Sequence, residues 1–429
     1  MPSAPHIEVE PEAAMIDAAR RIRLGGFAPG ERIAVQARLQ QNDGSTWVGE
    51  SFFDADEAGD VDVSTTAPVA GSYGGTSPMG LVWSMRQVGG ASGEDFDQLA
   101  AQIVHLTASA QSGTASATLE QLFVAQGVQV TAVREDGVVA TLFTPPGEDA
   151  HGLVVVLSGS GGGLMQARAA LFAAHGYQAL ALGYFGAAGL PPTLSQIPLE
   201  YFEHALQWAR RVLQPAFIAV AGVSRGGELA LLLAATMPEM IDAVVGYVPS
   251  AVTNGVLNAG RPGEDRHAAS WSWRGRHLPV LADKNPRADW RLFDDAPPPK
   301  RQTPAFLAAL EDAQASARAA IAVERIGGPV MLISGRDDAL WPSAVFSDMI
   351  CRRLEAAGHP HAVVHLCFED AGHTITFPYA PTTVLARAHP VSGLELAYGG
   401  TAAGNARACE DSWPAVLVFL DAMKGNMQR

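Results

Sequence analysis

The sequence predicts two units in series, an all-β sandwich followed by a larger α/β unit built on a mostly parallel sheet flanked by helices. Three observations carry this reading. Apolar residues alternate over short spans before residue 125, they form continuous short runs separated by helix-length segments after it, and one such run leads directly into Gly222-Val-Ser224-Arg-Gly226.

The first unit is read over residues 1–125. Arg32-Ile-Ala-Val-Gln-Ala-Arg38, Trp47-Val-Gly-Glu-Ser-Phe-Phe53 and Asp60-Val-Asp-Val-Ser64 have the two-residue period of half-buried strands. Gln41-Asn-Asp-Gly44 and Ala70-Gly-Ser-Tyr-Gly-Gly75 supply turns after such strands. Short strands at this spacing predict an immunoglobulin-like sandwich.

The second unit is read over residues 126–429. Its eight apolar runs are Val128–Val133, Val138–Phe143, Leu153–Leu157, Gln178–Leu182, Phe217–Ala221, Ala243–Val248, Val330–Ile333 and Ala362–Phe368. The first two make a hairpin about Glu135-Asp-Gly137, and the others alternate with helices such as Met165–His175, Leu199–Val212 and Gly227–Thr236. Continuous apolar runs mark strands buried on both faces, so the sheet is mostly parallel. Eight strands in this order give the plan of an α/β hydrolase. About 80 residues separate the sixth run from the seventh, against the usual ~2 to 6 of such connections. An insertion at about 249–328 is therefore expected, placed as a cap beside the site. Within it, residues 255–305 hold nine basic side chains against six acidic ones.

Composition removes several function classes. The 429 residues are 48% apolar and 17% charged, which excludes a disordered chain or a coiled coil. A net charge of −15 repels a phosphate backbone, so no nucleic-acid partner is expected. The three cysteines, Cys351, Cys367 and Cys409, have no metal or disulfide spacing. Neither a metal nor another cofactor is expected, and a reducing compartment fits. No apolar stretch reaches the ~18 residues of a membrane span, and the acidic Glu8, Glu10 and Glu12 do not suit a signal peptide. These features predict a cytoplasmic chain with no membrane partner.

The serine of G-x-S-x-G, between a strand and a helix, sits on a cramped turn that lifts its hydroxyl above the sheet. Ser224 is thus the candidate nucleophile. A serine needs a base, and the base an orienting carboxylate, in the chain order Ser, acid, His. Gly335-Arg-Asp-Asp338, with Pro342 four residues on, selects Asp338, with the adjacent Asp337 as competitor. His373 follows 35 residues later, beyond the eighth run, in Glu369-Asp-Ala-Gly-His373. His359, His361 and His365 fall before or within that run and suit a surface or packed role. The oxyanion donors are expected from the amide of Arg225 and from the loop Ser158-Gly-Ser-Gly-Gly-Gly163, with Gly161 as its representative. That loop lacks the ending of a P-loop and the spacing of a dinucleotide fold.

These motifs, together with Gly71-Ser-Tyr-Gly-Gly75, Pro78-Met-Gly-Leu-Val-Trp-Ser-Met85, Leu199-Glu-Tyr-Phe-Glu203 and Pro378-Tyr379, make the chain resemble the acyl-CoA thioesterase and bile acid-CoA:amino acid N-acyltransferase family over nearly its whole length. The resemblance implies a small β-sandwich ahead of an α/β hydrolase, acting on acyl-CoA thioesters through a Ser or Cys, Asp, His triad. Two runs depart from the family, Asp337-Asp-Ala-Leu-Trp341 and His373-Thr-Ile-Thr-Phe-Pro378, and the ending Asn426-Met-Gln-Arg429 is not of the Ser-Lys-Leu type.

The function expected is hydrolysis of an acyl thioester, from coenzyme A or a carrier protein, through acyl-Ser224. The alternative is an esterase, lactonase, chain-releasing cyclase or acyltransferase on the same fold. Arg274 and Arg276 in the basic insertion are the expected contacts for coenzyme A phosphates.

Overall fold

The computed structural model describes residues 4–90, 97–147 and 151–426; the last three residues of the C-terminal ending lie outside the described residues. Two units are present, changing over between Ala125 and Gln126. Thr376–Val384 and Asn405–Glu410 group with the first unit, although they follow most of the second in the chain.

The first unit holds two sheets. One pairs His6–Glu10, Arg21–Gly25 and Val61–Asp62; the other runs Ala13–Met15, Gly113–Leu122, Gln102–Ala110, Arg32–Gln40, Thr46–Asp54, with Ala70–Gly71 and Arg86–Gly89 on the last strand. The two-residue alternation read from the sequence is physical. Ile33, Val35, Ala37 and Leu39 are fully buried while the residues between them face outward, and Val104, Leu106 and Ala108 of the neighbouring strand bury the same face. Late in the chain, Gln121 Nε2 donates to the Tyr379 carbonyl at 3.1 Å and the Thr382 amide to the Trp83 carbonyl at 2.9 Å, which is why residues 376–384 belong with this unit.

The second unit is an α/β hydrolase fold. Its eight strands lie in the order Gln129–Val133, Ala140–Thr144, Gln178–Leu182, Leu153–Leu157, Ile218–Val223, Ala243–Tyr247, Val330–Gly335 and Val363–Phe368. The first two are antiparallel to their neighbours and the remaining six are mutually parallel. The predicted hairpin turns at Asp136 and Gly137, with φ of 50° and 74°, the paired left-handed residues that match strand twist. Leu153–Leu157 and Ala243–Tyr247 are buried at every position, as continuous apolar runs require. Leu199–Val212 shows the complementary helical pattern. Leu199, Phe202, Ala205, Leu206 and Ala209 form its buried stripe, with Glu200 in the first turn and Arg210 and Arg211 in the last, where the helix dipole favours them.

The interval between Tyr247 and Val330 forms short strands Trp271–Trp273 and Arg276–His277, which join Ile197–Pro198, and helices Arg291–Asp294, Thr303–Leu310 and Ala313–Ala319. No helix among the described residues is long and apolar enough to cross a membrane.

Candidate active site

Ser224 stands between the strand Ile218–Val223 and the helix Arg225–Thr236 with φ 57° and ψ −118°, a conformation that non-glycine residues rarely adopt. The two motif glycines explain how so tight a turn is built. A Cβ on Gly222 would lie 2.0 Å from the Gly226 carbonyl oxygen, and one on Gly226 would lie 2.4 Å from that of Ser158. Only hydrogen fits at either place. The Ser224 amide donates to the Tyr247 carbonyl at 2.8 Å, and the Ser224 carbonyl accepts from Glu228 N at 3.0 Å. Both contacts hold the serine while its hydroxyl points off the sheet end.

His373 Nε2 lies 2.7 Å from Ser224 Oγ. On its other side, Nδ1 lies 2.8 Å from Asp338 Oδ2 and 3.0 Å from Oδ1. Asp338 is 2% exposed and His373 7%, so this chain of groups runs inside the protein. The Asp338 carboxylate also accepts the amides of Leu340 at 3.0 Å and Trp341 at 3.3 Å, which fixes its plane. The imidazole is held by its own amide on the Tyr398 carbonyl, 2.8 Å, by the edge of Trp341 and by the stacked ring of Tyr398.

The competitors face elsewhere. Asp337 accepts from Arg301 at 2.7 Å and from the Gly400 amide at 3.0 Å, and its side chain is half exposed. His359 lies 3.1 Å from the Gly328 carbonyl, His365 lies 2.7 Å from Ser334 Oγ, and exposed His361 rests against His359.

A cavity of about 30 Å³ adjoins Ser224 and His373 and is lined by Ser160, Arg225, Gln302, Trp341 and His389 among others. Arg225 opens a helix, so its amide has no acceptor one turn back. In the glycine loop, the amides of Gly162 and Gly163 donate to the carbonyls of Gly159 and Phe185. Gly161 lies beside them but is not part of the cavity wall, which is made instead by its neighbour Ser160. Ser160 and His389 were not singled out from the sequence.

Behind Ser224, the Arg225 side chain is fully buried against Glu228, Nη1 to Oε2 at 2.9 Å. The Glu228 carboxylate also accepts from Trp271 Nε1 at 2.8 Å and Asn254 Nδ2 at 2.8 Å, while Arg225 Nη2 donates to the Gly255 carbonyl at 2.8 Å. Buried charges persist only when satisfied in this manner.

Arg274 and Arg276 are not among the cavity-lining residues. Arg274 lies over the Trp273 ring and pairs with Glu203 at 3.0 Å, while Arg276 is exposed on its short strand. Arg266, Arg287, Arg291 and Arg301 also have carboxylate partners. Three of the partners, Glu203, Glu311 and Asp337, lie outside residues 255–305, so the basic excess counted in that window is largely compensated in space.

Residues 197–425 match the family described as BAAT / Acyl-CoA thioester hydrolase C terminal, and residues 17–135 match the Acyl-CoA thioester hydrolase/BAAT N-terminal region. The chain belongs to the acyl-CoA thioester hydrolase/BAAT family. It is similar to acyl-coenzyme A thioesterase 6 of Mus musculus, 30% identical, across 93% of this chain and 91% of the relative. Similarity to acyl-coenzyme A thioesterase 1 of Homo sapiens is 28%, covering 95% and 93%. Bile acid-CoA:amino acid N-acyltransferase of Mus musculus is also 28% identical, covering 96% of each. As a member of the thioester hydrolase family with an α/β hydrolase fold, the chain is an enzyme.

Burial, with the charges of Arg387 and Arg225, pushes His389 down to about 4. Between that value and the ordinary ~6.5 of histidine, the unfolded chain binds the proton that the folded chain refuses, so stability rises with pH over this window and falls as pH drops through it. Thermal unfolding is expected at a lower temperature at pH 5 than at pH 7, and His389→Gln is expected to narrow the gap. An unchanged gap would assign the acid sensitivity to other buried groups, such as His267, which is also lowered by burial.

Proposed function

We propose that the enzyme hydrolyses acyl-CoA thioesters through an acyl-Ser224 intermediate, with His373 as general base and acid and Asp338 as its orienting carboxylate. The observation that carries the reading is the unbroken contact from Ser224 Oγ through His373 to Asp338, at 2.7 and 2.8 Å, in a chain of the thioester hydrolase family. As Ser224 Oγ attacks the thioester carbonyl, its proton passes to His373 Nε2, and Asp338 stabilises the imidazolium. The oxyanion forms where the amide of Arg225 and the helix N-terminus behind it face. Collapse expels the thiolate, which takes the proton from His373. Water then loses a proton to His373 as it attacks the acyl-serine, and collapse of the second tetrahedral intermediate breaks the bond to Ser224 Oγ, which takes the proton back from His373 as the acid leaves. An oxyester intermediate suits attack by activated water, which is why a serine at this position favours hydrolysis.

Cys351 and Cys367 form no disulfide, which supports a reducing compartment, and on that ground the reading puts the enzyme in the cytoplasm.

Rates across a panel of acyl-CoA chain lengths, set beside simple aryl esters, test the reading. Preference for thioesters is expected at one range of chain length. Faster turnover of aryl esters than of every acyl-CoA would favour the esterase or lactonase alternative.

The same panel tests the insertion as a docking surface for coenzyme A phosphates. Reversing Arg274 and Arg276 to Glu is expected to raise KM for acyl-CoA several-fold and leave aryl esters unchanged, with most of the effect from Arg276 because Arg274 is already paired with Glu203. Equal effects on both substrate classes would remove these arginines from substrate binding.

A further inference from the structure

Ser160 sits in the glycine loop that follows the strand Leu153–Leu157 and lines the same cavity as Ser224 and His373. The loop runs very close to the nucleophile: a Cβ on Gly159 would lie 3.4 Å from that of Ser224. Ser160 Oγ is 2.9 Å from Nε2 of His389, a buried residue at the tip of the hairpin formed by Ala386–Ala388 and Glu395–Ala397.

By residue type this is a second serine–histidine pair. The other ring nitrogen shows that it is not a second nucleophile and base. His389 Nδ1 faces the amides of Val391 at 3.3 Å and Ser392 at 3.4 Å. Backbone amides only donate, so Nδ1 is the acceptor and Nε2 carries the hydrogen of the neutral ring. Nε2 therefore donates to Ser160 Oγ and has no lone pair with which to take its proton. The ring stays neutral near pH 7, because burial and the charges of Arg387 and Arg225 oppose its protonation. A hydroxyl that accepts from a fixed N–H directs its own hydrogen elsewhere, and Ser160 is one of the residues that line the cavity beside Ser224.

We propose that Ser160 is a further catalytic residue, a side-chain hydrogen-bond donor to the carbonyl oxygen of the substrate, and that His389 is the positioning residue that keeps its hydroxyl in the donating orientation. The proposal rests on Ser224 as the nucleophile. When the bond from Ser224 Oγ to the carbonyl carbon forms and the carbonyl π electrons move onto oxygen, the Ser160 hydroxyl stabilises that oxyanion beside the backbone amides. No proton leaves Ser160, so the later loss of the thiolate and its protonation by His373 proceed unaltered.

Ser160→Ala is expected to lower kcat by ~10²-fold, the usual effect of removing one oxyanion donor, with KM for acyl-CoA changed less than about two-fold, since the contact strengthens only as charge develops. Ser160→Thr restores the hydroxyl and should recover most of the rate. His389→Phe keeps a ring but loses the N–H and should slow kcat, whereas His389→Gln restores a donor and should recover part of it. An alkyl boronic acid, whose serine adduct is a tetrahedral anion, should bind Ser160→Ala more weakly by a factor similar to the loss in kcat, while a non-hydrolysable thioether analogue of acyl-CoA should bind as before.

Fluorophosphonate labelling of the native enzyme and of Ser224→Ala separates the two readings. Absence of label at Ser224 would overturn the nucleophile assignment. With Ser224 labelled, a Ser160→Ala enzyme that turns over as the native one does, or that loses only in KM, would overturn the role of Ser160 alone. If Ser160→Ala does not fold, the His389 pair still decides: equal loss in the Phe and Gln variants refutes the donor role.

Discussion

Asparagine in place of Asp338 is expected to lower kcat by ~10⁴-fold, the effect seen when the orienting carboxylate of such a triad is neutralised without change of shape. In this enzyme the cause would be twofold. The carboxylate lies 2.8 Å from His373 Nδ1, and an amide presenting its N–H there would force the ring into the tautomer whose hydrogen points at Ser224. The charge that stabilises the imidazolium would also be lost, in a buried setting with little water to replace it. The neighbouring variant makes the test sharp. Asp337→Asn should stay within a few-fold of the native rate, because that carboxylate is engaged by Arg301 and the Gly400 amide at the surface. Steady-state kcat for the two variants, measured on the same acyl-CoA, checks the ranking, and the reverse order would move the orienting role to Asp337.

Ser224→Ala is expected to abolish the acyl-enzyme and lower kcat by on the order of 10³ or more, since nucleophile and base act as one unit and what remains is binding and oxyanion stabilisation. The fold should survive, because the contacts that hold the turn are made by the backbone of Ser224 and by the space at Gly222 and Gly226. A fluorophosphonate should label the native enzyme and not the variant, as read by intact-protein mass. Retained labelling at another serine would take the nucleophilic role from Ser224.

Much of the second unit was legible because its physics is local. A strand buried on both faces must be apolar throughout, and the runs read from the sequence lie within a few residues of the observed strands. The turn at Ser224 was legible for a different reason: two positions have room only for hydrogen, so glycine at both leaves a mark in the sequence. Asp337 and Asp338 were not separable by spacing, because adjacent loop residues point in different directions and only the closed turn shows which one meets His373. The loop that holds Ser160 was legible as a source of oxyanion donors, but the pairing of Ser160 with His389 left no readable mark. They lie 229 residues apart, and their pairing depends on a hairpin tip whose amides fix the imidazole tautomer. The charge of the insertion was misleading in a similar way, since a count along the chain missed acidic partners folded in from Glu203, Glu311 and Asp337. Residues 376–384 joined the first unit through hydrogen bonds to their backbone that no periodicity reports.

The buried Arg225–Glu228 pair has a consequence for how this catalytic unit can be recombined. Trp271, Asn254 and Gly255 satisfy that pair from the long interval, while the pair itself occupies the first turn after Ser224. The interval is therefore not a cassette that can be exchanged between homologues at its sequence borders. A transplanted version without the indole and amide donors would leave the Glu228 carboxylate short of hydrogen bonds, at about 1 to 3 kcal/mol or more for each buried group left unpaired, and the first structure to yield would be the turn that aims the serine. Chimeras intended to alter substrate range should keep residues 254–255 and 271 together with 225 and 228 as one inherited block, and move their crossover points to the exposed stretch beyond Trp273.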